Sequence, residues 1–190
     1  KDMQNRLVEH IKAAGFTLSQ DRRMVLITGH RRENFGQRFL NVCEAIKQLA
    51  FQNPETDFVY PVHMNPNVRK PVFEILNNRS NVFLIEPQDY AAFVLLMRRS
   101  YLLLTDSGGI QEEAPALGKP VLVMRDTTER PEAIAAGTSK LVGTDRDQIV
   151  SAVQELLDDK KLYESYGQKT NPFGDGQASK RIIAFLRERL

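Results

Sequence analysis

The residues best suited to chemistry lie in Tyr101–Val123, YLLLTDSGGIQEEAPALGKPVLV. An apolar run ends in Asp106-Ser107-Gly108-Gly109, a helical stretch carries Glu112 and Glu113, and Gly-Lys-Pro leads into a second apolar run. A glycine turn between a strand end and a helix start aims backbone N–H groups and the positive helix end at one point, which suits a phosphate. Neither Gly108 nor Gly109 has a Cβ, so the backbone can come close to such a group. Glu113 follows one turn later, where a carboxylate reaches ribose hydroxyls. The pattern proposes a nucleotide or nucleotide-sugar. Its plainer readings are a strand-to-helix turn without ligand and a glutamate placed to suit the helix dipole.

Those residues need a scaffold, and the rest of the chain describes one. Short apolar runs at Met24–Thr28, Asp57–Pro61, Val82–Ile85, Tyr101–Thr105, Pro120–Met124 and Lys140–Val142 read as strands. Helical patterns at Gln37–Gln52, Asn67–Asn77, Asp89–Arg99 and Gly109–Leu117 alternate with them, and Arg146–Asp158 and Lys160–Tyr166 follow. This alternation predicts βαβ units and a Rossmann-like parallel sheet with helices on both faces. The strands are apolar throughout, as when both faces are covered. The ends differ from this middle. Lys1–Ala14 reads as an amphipathic helix before the first strand. Asn171–Gly176 is a breaker-rich crossing, and Ala178–Leu190 is a helix with Ile182, Ile183, Phe185, Leu186 and Leu190 on one stripe. That last helix either packs on this domain or leaves it. The expected division is a helix and link over 1–22, the Rossmann-like domain over 23–170, and the crossing with its helix over 171–190.

Open parallel sheets bind ligands beyond the carboxyl ends of their strands. The residues there are Gly29–Asn34, His63–Pro66, Glu86–Gln88, Asp106–Gly109 and Arg125–Pro131. Two of the three histidines fall among them. Histidine ordinarily titrates near neutrality, so His30 can donate to a phosphate or act as an acid/base group; it also reads as a loop histidine with a structural hydrogen bond. Arg31 and Arg32 can pair with anions bidentately, or form a solvated turn balanced by Glu33. His63 sits in an Asn/Pro-rich loop and reads equally as structural. Gln88 and Phe93 flank a helix start beside the same edge, where the amide and main-chain groups can recognise a base, although the Phe93 ring reads as core. Arg130 can neutralise phosphate charge. Cys43 falls on a helical apolar stripe and reads as inert core. No HExxH or CxxC spacing points to a metal.

Composition narrows the classes further. The chain has 190 residues, 42% hydrophobic and 26% charged, which suffices for one well-buried α/β domain. A net charge of +2 without a basic run argues against nucleic acid. A single cysteine excludes an internal disulfide and fits a reducing, cytoplasmic setting. No apolar run approaches a membrane span or a signal peptide. The chain begins without Met inside a helical pattern, as a piece of a longer protein would.

Together these motifs carry a family resemblance. Leu26-Ile-Thr-Gly-His-Arg-Arg-Glu-Asn34, Pro61-Val-His-Met-Asn-Pro66, Asp106-Ser-Gly-Gly-Ile-Gln-Glu-Glu113, Gly118-Lys-Pro120, Thr127-Thr-Glu-Arg-Pro-Glu132 and Asn171-Pro-Phe-Gly-Asp-Gly176 resemble the C-terminal half of the non-hydrolysing UDP-N-acetylglucosamine 2-epimerases. The resemblance covers nearly the whole chain. It implies the second half of a two-domain, B-type glycosyltransferase-like architecture, bacterial cell-surface polysaccharide synthesis as the setting, a homodimeric parent and no external cofactor. The reaction it implies interconverts UDP-GlcNAc and UDP-ManNAc by eliminating UDP to a 2-acetamidoglucal and adding it back. By resemblance His30 is the catalytic phosphate-side histidine. Gln88 and the Phe93 backbone contact uridine, Ser107, Gly108 and Gly109 the diphosphate, Glu113 the ribose, and Arg130 the substrate. Arg31 and His63 match positions that in some members touch a second, activating UDP-GlcNAc. The family's C2 carboxylates belong to an N-terminal domain, the expected partner, to which the last helix returns. The chain alone is therefore expected to bind UDP without epimerising. A hydrolysing epimerase, a B-type glycosyltransferase domain and a non-catalytic nucleotide-binding module stand as alternatives.

Overall fold

A computed structural model describes residues 2–189; Lys1 and Leu190, at the ends of two expected helices, lie outside it. Six strands, β1 (Arg23–Thr28), β2 (Thr56–Pro61), β3 (Val82–Ile85), β4 (Leu102–Thr105), β5 (Val121–Val123) and β6 (Ser139–Leu141), form one sheet in the order β3-β2-β1-β4-β5-β6. Every pairing is parallel. This is a doubly wound, Rossmann-like sheet, and its strand order reverses between β1 and β4. The loops after these two strands therefore leave in opposite directions and open a crevice.

Side-chain alternation assigns the two cores. Val25 and Ile27 of β1, with Phe58, Tyr60, Leu102 and Leu104, meet helices α2 (Gln37–Gln52), α3 (Pro66–Leu76) and α7 (Arg146–Asp158) through Phe39, Ile46, Leu49, Val72 and Ile149. Met24 and Leu26, with Val59, Leu103 and Val121, face the opposite way. There they meet α1 (Asp2–Ala13) and α4 (Tyr90–Arg99) through Ile11, Ala92, Leu95 and Leu96, with Phe16 closing the layer. Each buried Leu, Ile or Phe contributes roughly 1.5–3 kcal/mol. Two covered faces explain why the strands are apolar at successive positions rather than alternating.

Polar residues fix the helix starts on the sheet edge. The Asp89 side chain accepts from Ala92 N at 2.8 Å, and Asn65 Oδ1 accepts from Asn67 N at 2.9 Å with Pro66 at the first helical position. The helix expected over Gly109–Leu117 comes in two pieces, α5 (Gly108–Glu113) and a 3-10 turn over Ala114–Leu117. Gly118 ends the second piece at φ +65°, a conformation glycine adopts without strain, and sends the chain into β5. A short helix not foreseen in the sequence, α6 (Pro131–Ala135), starts directly after Arg130. α8 (Lys160–Gly167) follows α7, and the crossing leads to α9 (Ala178–Arg187). None of the residues described in α9 is buried; Ile182, Ile183, Phe185 and Leu186 are all about half exposed or more. No helix among the described residues is long and apolar enough to cross a membrane.

Candidate active site at the reversal of strand order

The loops after β1 and β4 are fastened to each other by one buried carboxylate. Asp106, the first residue after β4, is 1% exposed. Its Oδ2 accepts from the main-chain N–H groups of His30 and Arg31, both at 2.8 Å. Asn34, also buried, approaches the same oxygen at 3.5 Å and donates to Met124 O at 3.2 Å. Beneath the loop, the buried Tyr60 hydroxyl donates to Gly29 O at 2.7 Å. The main chain around His30 is thus held by side chains from β2 and from the end of β4.

The His30 ring is less constrained than its backbone. It stacks on His63, with centroids 5.1 Å apart and planes inclined by 10°. His63 Nδ1 accepts from Asn65 N at 3.1 Å, so a neutral His63 carries its proton on Nε2. The two histidines line one cavity of about 220 Å³ with Gln88, Phe93 and Ser107. Gln88 donates its amide to Glu86 O at 2.7 Å, and its Oε1 is buried without a partner. Phe93 packs against the core with its ring, and its N–H is used by Asp89 O at 2.9 Å.

Two guanidinium groups converge beside this cavity. A Cβ built on Gly108 would stand 3.7 Å from Arg31 Nη2 and 3.8 Å from Arg130 Nη2. Ser107 precedes α5, yet its hydroxyl makes no capping hydrogen bond and stays free for another acceptor. The first N–H groups of a helix have no acceptor within it, and they point the same way. A hollow between two arginines, a free hydroxyl and unpaired N–H groups is a place for an anion.

The arginines are held by acids. Arg125 is buried and binds Glu33 at 2.6 Å and Glu129 at 2.5 and 2.9 Å. Those bonds hold the Glu129 carboxyl down at about 2, well below its ordinary 4.5. Glu129 is thus committed to Arg125 and lies 4.0 Å from Arg31. Arg130 pairs with Glu112 and donates to Glu129 O at 3.0 Å. Thr128 and Gln111 brace the turn from behind, Thr128 to Gln111 Oε1 at 2.6 Å and Gln111 to Ser107 O at 3.1 Å.

Of the residues singled out in the sequence, His30, His63, Gln88, Phe93 and Ser107 share the cavity, and Gly108, Arg31 and Arg130 adjoin it. Gly109 lies on the exposed side of the turn. Glu113 lines a separate hollow of about 690 Å³ with Lys169 and the Asn171–Gly176 crossing. Cys43 is buried in the α2 core, its thiol pushed up to about 12 by burial. Among the described residues no cluster of three or more His, Cys, Asp or Glu is placed to hold a metal. Asp106 and Arg125 stand in the sequence among the edge residues without a role of their own, and Gln111 stands only within the Asp106–Glu113 motif. The available signal was a cluster of polar residues on an edge where strands end in apolar runs.

Known proteins are similar to this chain over nearly its whole length. The family described as UDP-N-acetylglucosamine 2-epimerase matches residues 2–187. A Campylobacter jejuni protein named UDP-N-acetylglucosamine 2-epimerase is 54% identical over 171 residues, which are 90% of this chain and 45% of that protein. The chain thus spans about half the length of the curated relatives it matches. The crystal structure of UDP-GlcNAc 2-epimerase from Neisseria meningitidis bound to UDP-GlcNAc aligns with a TM-score of 0.91 at 46% identity, over 99% of this chain and 50% of that one. WaaG, a glycosyltransferase involved in lipopolysaccharide biosynthesis, aligns at 0.64 and 18% identity over 89% of this chain and 45% of its own, a likeness of fold alone.

Proposed function

Because the chain belongs to the UDP-N-acetylglucosamine 2-epimerase family, we propose that it forms the UDP-binding half of a cytoplasmic, non-hydrolysing enzyme that interconverts UDP-GlcNAc and UDP-ManNAc. The observation that carries the reading is the convergence of Arg31 and Arg130 on Gly108, beside the cavity that His30 and Ser107 line. A UDP diphosphate fits that arrangement. Its negative charge suits the two guanidiniums, and its uracil suits the cavity wall of Gln88 and Phe93. The ribose then lies towards the neighbouring hollow, where Glu113 accepts from its hydroxyls.

In the proposed reaction a base removes the C2 proton while the C1–O bond breaks. UDP leaves with the bonding electrons and 2-acetamidoglucal remains. Re-addition of UDP at C1, with a proton delivered to the other face of C2, gives the epimer. Charge builds on the β-phosphate as UDP leaves, so donors aimed there act most strongly in the transition state. His30, Ser107, Arg31 and Arg130 are the donors of this half. The C2 acid/base groups belong to the N-terminal half, on which the apolar face of α9 docks, and the two-domain protein forms a homodimer. Arg31 and His63 also face any second UDP-sugar that enters beside the first.

The test is a product assay on a protein carrying both halves, with UDP-GlcNAc and no acceptor. UDP-ManNAc as sole product supports the proposal. Free ManNAc with UDP makes the enzyme hydrolysing, and turnover only with an acceptor makes it a glycosyltransferase. The 190-residue chain alone binds UDP and makes no epimer.

A further inference from the structure

Asp106 makes two uses of one carboxylate, and only one of them is structural. Oδ2 clasps the N–H groups of His30 and Arg31. Oδ1 is buried, has no hydrogen-bond partner, and lies 3.8 Å from His30 Nδ1. A buried carboxylate oxygen without a donor is costly. The nearest donor on offer is the Nδ1–H of a ring whose side chain is 43% exposed and free to turn. One face of that ring is stacked on His63. Catalytic contacts of this kind are often long before a ligand is bound and shorten in the complex.

We propose that Asp106 is the positioning residue for His30: its Oδ1 holds the imidazole with a proton on Nδ1, so that Nε2 is the nitrogen that takes up a proton and, in the imidazolium so formed, donates to a phosphoryl oxygen in the cavity. Asp106 touches no ligand and acts only through the histidine. The arrangement has the logic of any carboxylate–imidazole pair, where the acid fixes the tautomer and stabilises the imidazolium as charge develops opposite it. It rests on the epimerase reading only for the identity of the phosphate.

Asp106→Asn separates the two uses. The two main-chain N–H groups require an acceptor, so the amide oxygen takes the place of Oδ2 and the clasp survives. The amide NH₂ then falls at Oδ1 and presents a donor, which favours His30 with its proton on Nε2. The first measurement is the long-range 15N–1H spectrum of the unsubstituted chain at a pH where imidazole is neutral. The proposal requires the Nδ1–H form for His30; the Nε2–H form or a mixture overturns it. The same spectrum of Asp106→Asn must show the tautomer inverted. The third readout is steady-state kinetics of Asp106→Asn in the protein carrying both halves. The expected result is a kcat lower by at least ~100-fold, with KM within a few-fold and the melting temperature unchanged. An inverted tautomer with unchanged kcat overturns the proposal, as does an Nδ1–H form that survives the substitution. Where Asp106→Asn does not fold, the unsubstituted spectrum alone decides. The tautomer does not depend on the reaction catalysed, so failure of the epimerase assay and failure of this proposal are read separately.

Discussion

Gly108→Ala adds one methyl group to the place where the two arginines meet. Gly108 opens α5 and does not lie among the glycines with positive φ, so alanine fits its backbone without strain. The new Cβ meets nothing closer than 3.7 Å, so the unliganded protein accommodates it. In a helix, glycine to alanine at a compatible position stabilises by about 0.4–1 kcal/mol. The liganded state is different. An oxygen bound to either guanidinium needs an N···O distance of about 2.7–2.9 Å, and the methyl sits between Arg31 Nη2 and Arg130 Nη2 at 3.7 and 3.8 Å. A phosphate oxygen cannot share that space and must give up at least one of the two contacts. A hydrogen bond to a charged group contributes about 1.5–3 kcal/mol. At 1.4 kcal/mol per tenfold, the dissociation constant for UDP rises about 10- to 150-fold. Titration calorimetry with UDP reads the affinity, and a melting curve reads the fold. A melting temperature equal to or above that of the parent with affinity lowered in this range supports the reasoning. Unchanged affinity in a folded variant refutes it, because the phosphates then do not approach Gly108.

Glu113→Gln lowers affinity for UDP but leaves inorganic pyrophosphate nearly unaffected, because pyrophosphate lacks ribose hydroxyls; an equal loss for both, by calorimetry, removes Glu113 from the ribose. Glu129 is held at about 2 in the folded chain against an ordinary 4.5. A folded value below the unfolded one gives stability that is complete above 4.5 and lost as pH falls towards 2. Melting temperature therefore falls more steeply across that window in the parent than in Glu129→Gln, and parallel curves contradict the Arg125–Glu129 bond. Tyr60→Phe leaves the buried Gly29 carbonyl without its donor at a cost of about 1–3 kcal/mol, read as a lower denaturation midpoint with unchanged slope. An unchanged midpoint shows that water replaces the hydroxyl.

The strands were legible because each is apolar on both faces. β3 matches its expected range, β1, β2 and β4 differ by one residue at the start, and β5 and β6 by one at each end. Their order was not legible, since no local feature says that β4 rather than β2 or β3 completes the pair with β1 at the reversal. α6 escaped because Pro131–Ala135 is barely more than one turn and shows no helical period. The motif residues of the candidate site stood out as polar groups after apolar runs. What holds them did not. Asp106 reads as an ordinary turn aspartate, and its partners His30 and Arg31 lie 76 and 75 residues away. Arg125 is the same case, clamping Glu33 across 92 residues. Gly108 stands out in the sequence for the close approach that it allows a phosphate; its backbone is helical, so space and not conformation is the reason. The amphipathic period of the last helix was plain, but periodicity names an apolar face and not what covers it. In the structure Ile182, Ile183, Phe185 and Leu186 stay exposed.

UDP is expected to bind where the strand order reverses, with its diphosphate on the Ser107–Gly109 turn. A crystal structure of this chain with UDP tests it directly. Phosphate oxygens are expected within hydrogen-bond distance of the Ser107 hydroxyl, the Gly108 and Gly109 N–H groups and both the Arg31 and Arg130 guanidiniums. The uracil is expected against Gln88 and Phe93. A nucleotide seated elsewhere, or phosphates that leave Arg130 on Glu112 and the space beside Gly108 empty, contradicts this placement.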